Sequence, residues 1–206
     1  MIAAALFAIL ISTPGELDGI GAPSTTPFVA PGQLFQINIP YGWTPYTVDK
    51  DPNAIQFKNN LRGGDATLIV RKFVVPAEAR PRQLVLNAID QRLSRLPRFQ
   101  VMQKRDVALA GQPAASVIAT YAFQGNLQYP RLIEQIFVII GTEAYSLYFE
   151  CFEPQAQQYA GELNGMYTSF QPRVAAPTVQ GPFAVPDDPG TPGEPFKLPD
   201  PRDIPF

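Results

Sequence analysis

The chain has 206 residues, no histidine, one cysteine and a net charge of −2. Without histidine, Ser-His-Asp and Cys-His catalysis are excluded, as is every His-dependent zinc or iron site. Cys151 is alone, so no intrachain disulfide can form; that leaves the compartment open, because disulfides are permitted rather than required outside the cytosol.

The charge is unevenly spread. The first 49 residues hold Glu16, Asp18 and Asp49 and no Lys or Arg, and the stretch from Val174 has five acids against Lys197 and Arg202. The body between is left at about +4. Nucleic-acid-binding domains are far more basic, so no nucleic-acid partner is expected.

Met1–Ile11 is an unbroken apolar run. A bilayer span needs about 20 residues, so the run is too short to cross and fits the apolar region of a secretory signal. It lacks a preceding Lys or Arg and a clean small-residue cleavage site, and no cysteine stands near it for a lipid anchor. Residues 12–33 are rich in Pro, Gly, Ser and Thr and are expected to be a flexible linker, so that 1–33 forms a signal-like segment and linker.

A strand is predicted at Leu34–Ile39, where Phe35, Ile37 and Ile39 alternate with polar residues, and Pro40-Tyr41-Gly42-Trp43 turns it. Short strands follow at Pro45–Val48 and Ala54–Phe57. Ala66–Val75 is a longer one, introduced by a Gly63-Gly64-Asp65 turn. Pro81 opens a helix at the favoured first-turn position, with Val85, Leu86, Ile89, Leu93 and Leu96 as its apolar stripe and Pro97 as its stop. Further strands are predicted at Val101–Leu109, Ala114–Phe123 and Tyr129–Ile140. Gly141-Thr142 is a two-residue hairpin turn, and Glu143–Phe152 is the return strand. Pro154 starts a last helix, with Ala156, Tyr159, Ala160, Leu163, Met166 and Phe170 at helical spacing.

If Ile140 pairs with Glu143, then Leu132, Ile136, Val138, Tyr145, Leu147, Phe149 and Cys151 share one face. Ile133, Phe137, Ile139, Ala144 and Tyr148 share the other. Both faces are apolar and both must be covered. The expected fold is α+β: a twisted, mainly antiparallel sheet with a helix on each face. The domain should run over 34–173. Residues 174–206, with nine prolines, form a Pro-rich tail expected to be disordered.

No catalytic, cofactor-binding or metal-binding residues are identified, and no cofactor is implied. Gly63-Gly64 lacks the phosphate-loop frame, no serine sits in a nucleophile elbow, and Cys151 faces inward. Glu143, Glu150 and Glu153 are close in sequence, but Glu150 lies on the opposite face from Glu143, so no carboxylate pair is formed for acid–base chemistry or calcium.

The candidate partner-binding residues are Arg82, Arg95, Arg98, Lys104 and Arg105, with Tyr41 and Trp43 in the turn. The basic group reads either as a docking patch for an acidic protein or anionic headgroups, or as a solvated helix face. Trp43 reads either as surface or as a cap on the sheet core. Arg92 falls within its helix's apolar stripe and Glu134 within an apolar strand face, so the two are expected either to pair across the helix–sheet interface or to be solvated separately.

Phe35-Gln36-Ile37-Asn38-Ile39-Pro40-Tyr41-Gly42-Trp43 resembles the opening strand and Pro-x-x-Trp of PsbP-like domains. Val107-Ala108-Leu109-Ala110-Gly111-Gln112-Pro113-Ala114 resembles their hairpin, and Thr168-Ser169-Phe170 is similar to their Ser-Phe ending. The resemblance runs from Leu34 to Arg173. It implies the α/β/α sandwich of the PsbP-like and DcrB-like superfamily, whose members include lumenal photosystem II proteins, bacterial envelope proteins and a Ran-binding import factor. The superfamily's members are mostly non-enzymatic accessory or binding proteins. Together with the signal-like N-terminus and the missing catalytic apparatus, the resemblance leads to the expectation of an exported accessory protein of the periplasm, envelope or exterior with a protein partner in a membrane-associated complex. The basic group adds peripheral contact with the membrane surface, and a thylakoid-lumenal role at photosystem II is the alternative if the source is photosynthetic. The histidine-based metal role of photosystem members does not carry over. A histidine-free carboxylate enzyme is the competing expectation; it requires a cleft with two acids converging on one substrate atom.

Overall fold

The computed structural model describes residues 25–59, 61, 65–125 and 128–173. The apolar run at Met1–Ile11, the Gly63-Gly64 turn and the Pro-rich tail lie outside the described residues.

Strands β1 (Thr25–Val29) and β2 (Phe35–Pro40) come first. They are followed by β3 (Trp43–Val48), β4 (Asp51–Asn59) and β5 (Thr67–Val74). Helix α1 (Pro81–Gln91) precedes β6 (Gln100–Leu109), β7 (Gln112–Ala122), β8 (Pro130–Ile140) and β9 (Glu143–Phe152). Helix α2 (Ala156–Ser169) and the two-residue β10 (Gln171–Pro172) close the fold. Seven strands form one antiparallel sheet in the order β3-β4-β5-β9-β8-β7-β6; β1, β2 and β10 form a second, three-stranded sheet.

The central hairpin has the predicted register. Ile140 pairs with Glu143, Val138 with Tyr145, Ile136 with Leu147 and Leu132 with Cys151. Gly141 takes φ 63°, which this turn requires and which only glycine adopts without strain. One face of the sheet is covered by α1 and the turn that follows it, through Val85 and Leu93 against Val117, Ala119, Ile133 and Phe137. The other is covered by α2 and by β2, through Tyr159, Leu163, Met166, Phe35 and Ile37 against Phe57, Leu68, Ile136, Leu147 and Phe149.

Three expectations are corrected. The linker expected through Gln33 is already a strand from Thr25, where β1 pairs along β2 from Thr25↔Pro40 to Val29↔Gln36. Only Phe28 of this strand turns inward, so it has no alternating pattern to read. The second face is covered by a helix and a small sheet together, because α2 alone is 14 residues long. The first helix ends at Gln91; Arg92 leaves helical geometry (φ −129°, ψ −57°), and a 3₁₀ turn at Leu93–Arg95 carries the apolar stripe onward. Leu86 from that stripe is exposed.

Candidate functional site

The residues singled out by sequence fall into separate places. Trp43 is buried, and its Nε1 donates to Glu162 Oε2 on α2 at 2.7 Å, so it caps the core. Tyr41 beside it is 72% exposed. The turn carrying both lies at the β3 edge of the large sheet, opposite the β6 edge where the basic residues gather. Arg82 is tied to Asp106 on β6 by two hydrogen bonds, both side chains being largely exposed. Arg105 points to the α2 side, into the interior. Arg95, Arg98 and Lys104 remain exposed and are in no ion pair among the described residues. They share their end of the molecule with the exposed apolar Val101 and Met102 on β6. No described strand covers the outer edge of β6, and its register with β7 slips between Val101 and Gln103, a bulge.

Arg92 and Glu134 do not meet. Successive residues of a strand face opposite sides, and Arg92 lies on the α1 side, where it bonds Gln135 Oε1 at 3.3 Å and stands over the Tyr148 ring at 4.9 Å. Glu134 faces the α2 side. Its charge is nevertheless buried and paired as such a position demands: Arg105 Nη2 donates to Oε1 at 3.1 Å. Tyr167, half-buried as a whole, turns its hydroxyl to Oε2 at 3.4 Å. Arg105 Nε also reaches Ser116 Oγ at 3.3 Å. Burial pushes the Glu134 carboxyl above the ordinary glutamate value, with Arg105 opposing, and burial beside Glu134 raises the Tyr167 hydroxyl as well.

Arg105, Glu134 and Tyr167 form the inner end of a cavity of about 250 Å³. Strand β6 and its turn into β7 (Val107–Gly111) make one wall and α2 (Ala160, Leu163, Asn164, Thr168) the other, while Glu134 and Ile136 of β8 lie beneath. Sequence reasoning missed it. By type Arg105 belongs with the surface cations, but its place one residue after Lys104 on an edge strand sends it to the other face. The cavity holds a single carboxylate. Among the described residues no group of three metal-binding side chains exists, and no helix is long and apolar enough to cross a membrane.

A second polar cluster lies on the α1 face. Arg131 bonds Asp65 and, at 3.1 Å, Glu150. Tyr121 and Tyr148 both donate to Glu150 at 2.7 Å, and Asp65 Oδ2 accepts from the Phe152 backbone N–H at 2.7 Å. Burial, reinforced by Glu150, raises both tyrosine hydroxyls far above their usual range. With every member engaged, this cluster staples strands rather than presenting a reactive group. Cys151 is buried, which pushes its thiol up to about 12 and keeps it protonated.

No family model matches the chain, and no curated relative matches it by sequence. Solved structures do. The cyanobacterial PsbP (CyanoP) of Synechocystis sp. PCC 6803 is 13% identical with TM-score 0.55, over 77% of this chain and 98% of that one. The Ran-binding protein Mog1p of Saccharomyces cerevisiae is 11% identical with TM-score 0.55, over 72% and 95%. LpqN of Mycobacterium tuberculosis, described as involved in cell envelope biogenesis, is 17% identical with TM-score 0.54, over 72% and 90%. The chain spans about half (48%) of a longer Bacteroides thetaiotaomicron protein at TM-score 0.51. At these identities the likeness shows the fold: the domain has the α+β architecture of the PsbP-like and Mog1-like proteins, as the sequence resemblance implied.

Proposed function

We propose that this chain is a non-enzymatic accessory protein, exported to the envelope, that binds a protein partner within a membrane-associated complex. The observation that carries it is the β6 edge, where Arg95, Arg98 and Lys104 stand exposed, with no carboxylate partner among the described residues, beside the exposed Val101 and Met102. Exposed cations can meet an acidic surface, and exposed apolar side chains beside them supply contact area. Binding is favoured over catalysis because the cavity presents one carboxylate held by an arginine, whereas a carboxylate enzyme needs an acid and a base converging on one atom. The fold's neighbours support the reading in kind: one is named for binding Ran and another for envelope biogenesis.

The test is affinity capture from native host membranes with the full chain and with Arg95→Glu/Arg98→Glu. The wild type is expected to retain a partner that the variant loses while unfolding at the same temperature. Retention should also weaken above 0.1 M salt, where screening lengths fall below about 10 Å. Equal recovery of every partner by the variant would leave these arginines as a solvated face. N-terminal sequencing of the native protein tests export, which a cytosolic chain retaining Met1 would contradict.

A further inference from the structure

The cavity between β6 and α2 has a chemistry of its own, apart from the edge surface. Its walls are mostly apolar, from Val107, Leu109, Ile136 and Leu163, and its inner end is polar. There the Glu134 carboxylate, with its residue 3% exposed, is met by Arg105 at 3.1 Å and Tyr167 at 3.4 Å. Charge-assisted bonds are ordinarily about 2.7–2.9 Å, and a carboxylate has roughly four acceptor positions. Both contacts are therefore long, and acceptor capacity is left over. A ligand hydroxyl or amide N–H can add a bond to a carboxylate that holds only one donor on each oxygen.

The charges at this end cancel. An anionic ligand group would face Glu134, and a cationic one would face Arg105. A neutral hydroxyl or amide meets neither penalty, since it donates to the carboxylate and accepts from the guanidinium. Size sets the rest. The volume of about 250 Å³ lies between the roughly 150 Å³ that holds a benzene-sized ligand and the roughly 300 Å³ at which drug-sized pockets begin. We infer that this cavity is a binding site for a small uncharged amphiphile, with a hydroxyl or amide head at Glu134 and Arg105 and an aliphatic or aromatic body along Leu109, Ile136 and Leu163.

The probe is n-octanol, titrated into the full chain and followed by two-dimensional NMR, with octanoate, octylammonium and n-octane as comparisons. Saturable shifts are expected at the Glu134, Leu163 and Thr168 amides for the alcohol, with each comparison ligand about tenfold weaker or more, the charged ones because of unpaired burial. Ala160→Trp fills the cavity from a partly exposed helix position and replaces neither member of the ion pair. It should abolish the shifts while leaving the unfolding midpoint unchanged or raised. The inference is overturned if folded wild type shows no saturable binding, if Ala160→Trp binds as well, or if octanoate or octylammonium binds as tightly as the alcohol. Partner capture through Arg95 and Arg98 is a separate measurement, so either result can fail alone.

Discussion

The two faces of the seven-stranded sheet are buried by different means. On the α2 face, rings interlock: Phe35 meets Phe57 and Phe170, and Tyr159 meets both Trp43 and Phe149, with centroids 5.8–6.4 Å apart. On the α1 face, an 11-residue helix covers less. The ground it leaves is closed by hydrogen-bonded side chains around Arg131 and Glu150 and by Gln135 with Ser146. A long apolar cover makes a face tolerant of change in any one polar group, whereas a short cover makes it depend on a network in which every donor and acceptor is matched.

Removing a ring from the α2 face should therefore have the largest effect. Phe149→Ala, at a position 1% exposed, is expected to cost about 3–5 kcal/mol through lost transfer energy and a cavity, read by urea unfolding. Arg131→Ala on the α1 face should cost about 3 kcal/mol, because it leaves Asp65 and Glu150 facing each other without their shared cation. If Arg131→Ala proves harmless, the two faces do not differ in kind.

The α2 face holds one buried charged residue among the described residues, Glu134, and it sharpens the contrast. Glu134→Leu should destabilise by about 2–3 kcal/mol by stranding Arg105, while Glu134→Leu with Arg105→Met should recover most of that loss. The pH dependence has a definite sign. The folded Glu134 carboxyl titrates above its unfolded value, so between the two values the folded state holds the extra proton. Stability relative to Glu134→Gln is then greatest at the acid side of that window and falls as pH rises through it. Unfolding midpoints of the two proteins from pH 4 upward check this, and a difference that grows with pH would contradict it.

The smallest effect belongs to Arg82 and Asp106. Their bonds are well formed, yet both side chains lie in solvent. Asp106→Ser should leave the unfolding midpoint unchanged within error, as exposed pairs ordinarily do.

The large sheet was legible because its strands carry a period of two and its hairpins carry glycine. From the Ile140↔Glu143 pairing alone, Leu132 through Cys151 sort onto the correct faces. Strand β1 was not legible, since its hydrogen bonds are made by a Thr-Thr-Pro-Phe-Val stretch whose side chains are largely exposed. The end of α1 was hidden for the opposite reason: Leu93 in the 3₁₀ turn is buried, as the apolar stripe of a continued helix would require. Glu134 announced itself as a charge on an apolar face, but its partner did not. Arg92 seemed suitable by helical angle and lies across the sheet, whereas Arg105 is 29 positions away and comes into reach only once β6 is laid beside β7. The cavity followed the same logic, needing the separation of β6 from α2, which no local pattern records.

The bulge in β6 has a consequence for how copies of this chain treat one another. A free strand edge invites a second identical edge to zip onto it. Here the register slips between Val101 and Gln103, so the straight part of the edge begins only at Gln103. Antiparallel self-pairing centred on Lys104 would set that exposed side chain against its own counterpart, a like-charge contact across the seam. The edge thus discourages fibre-like stacking by its own sequence.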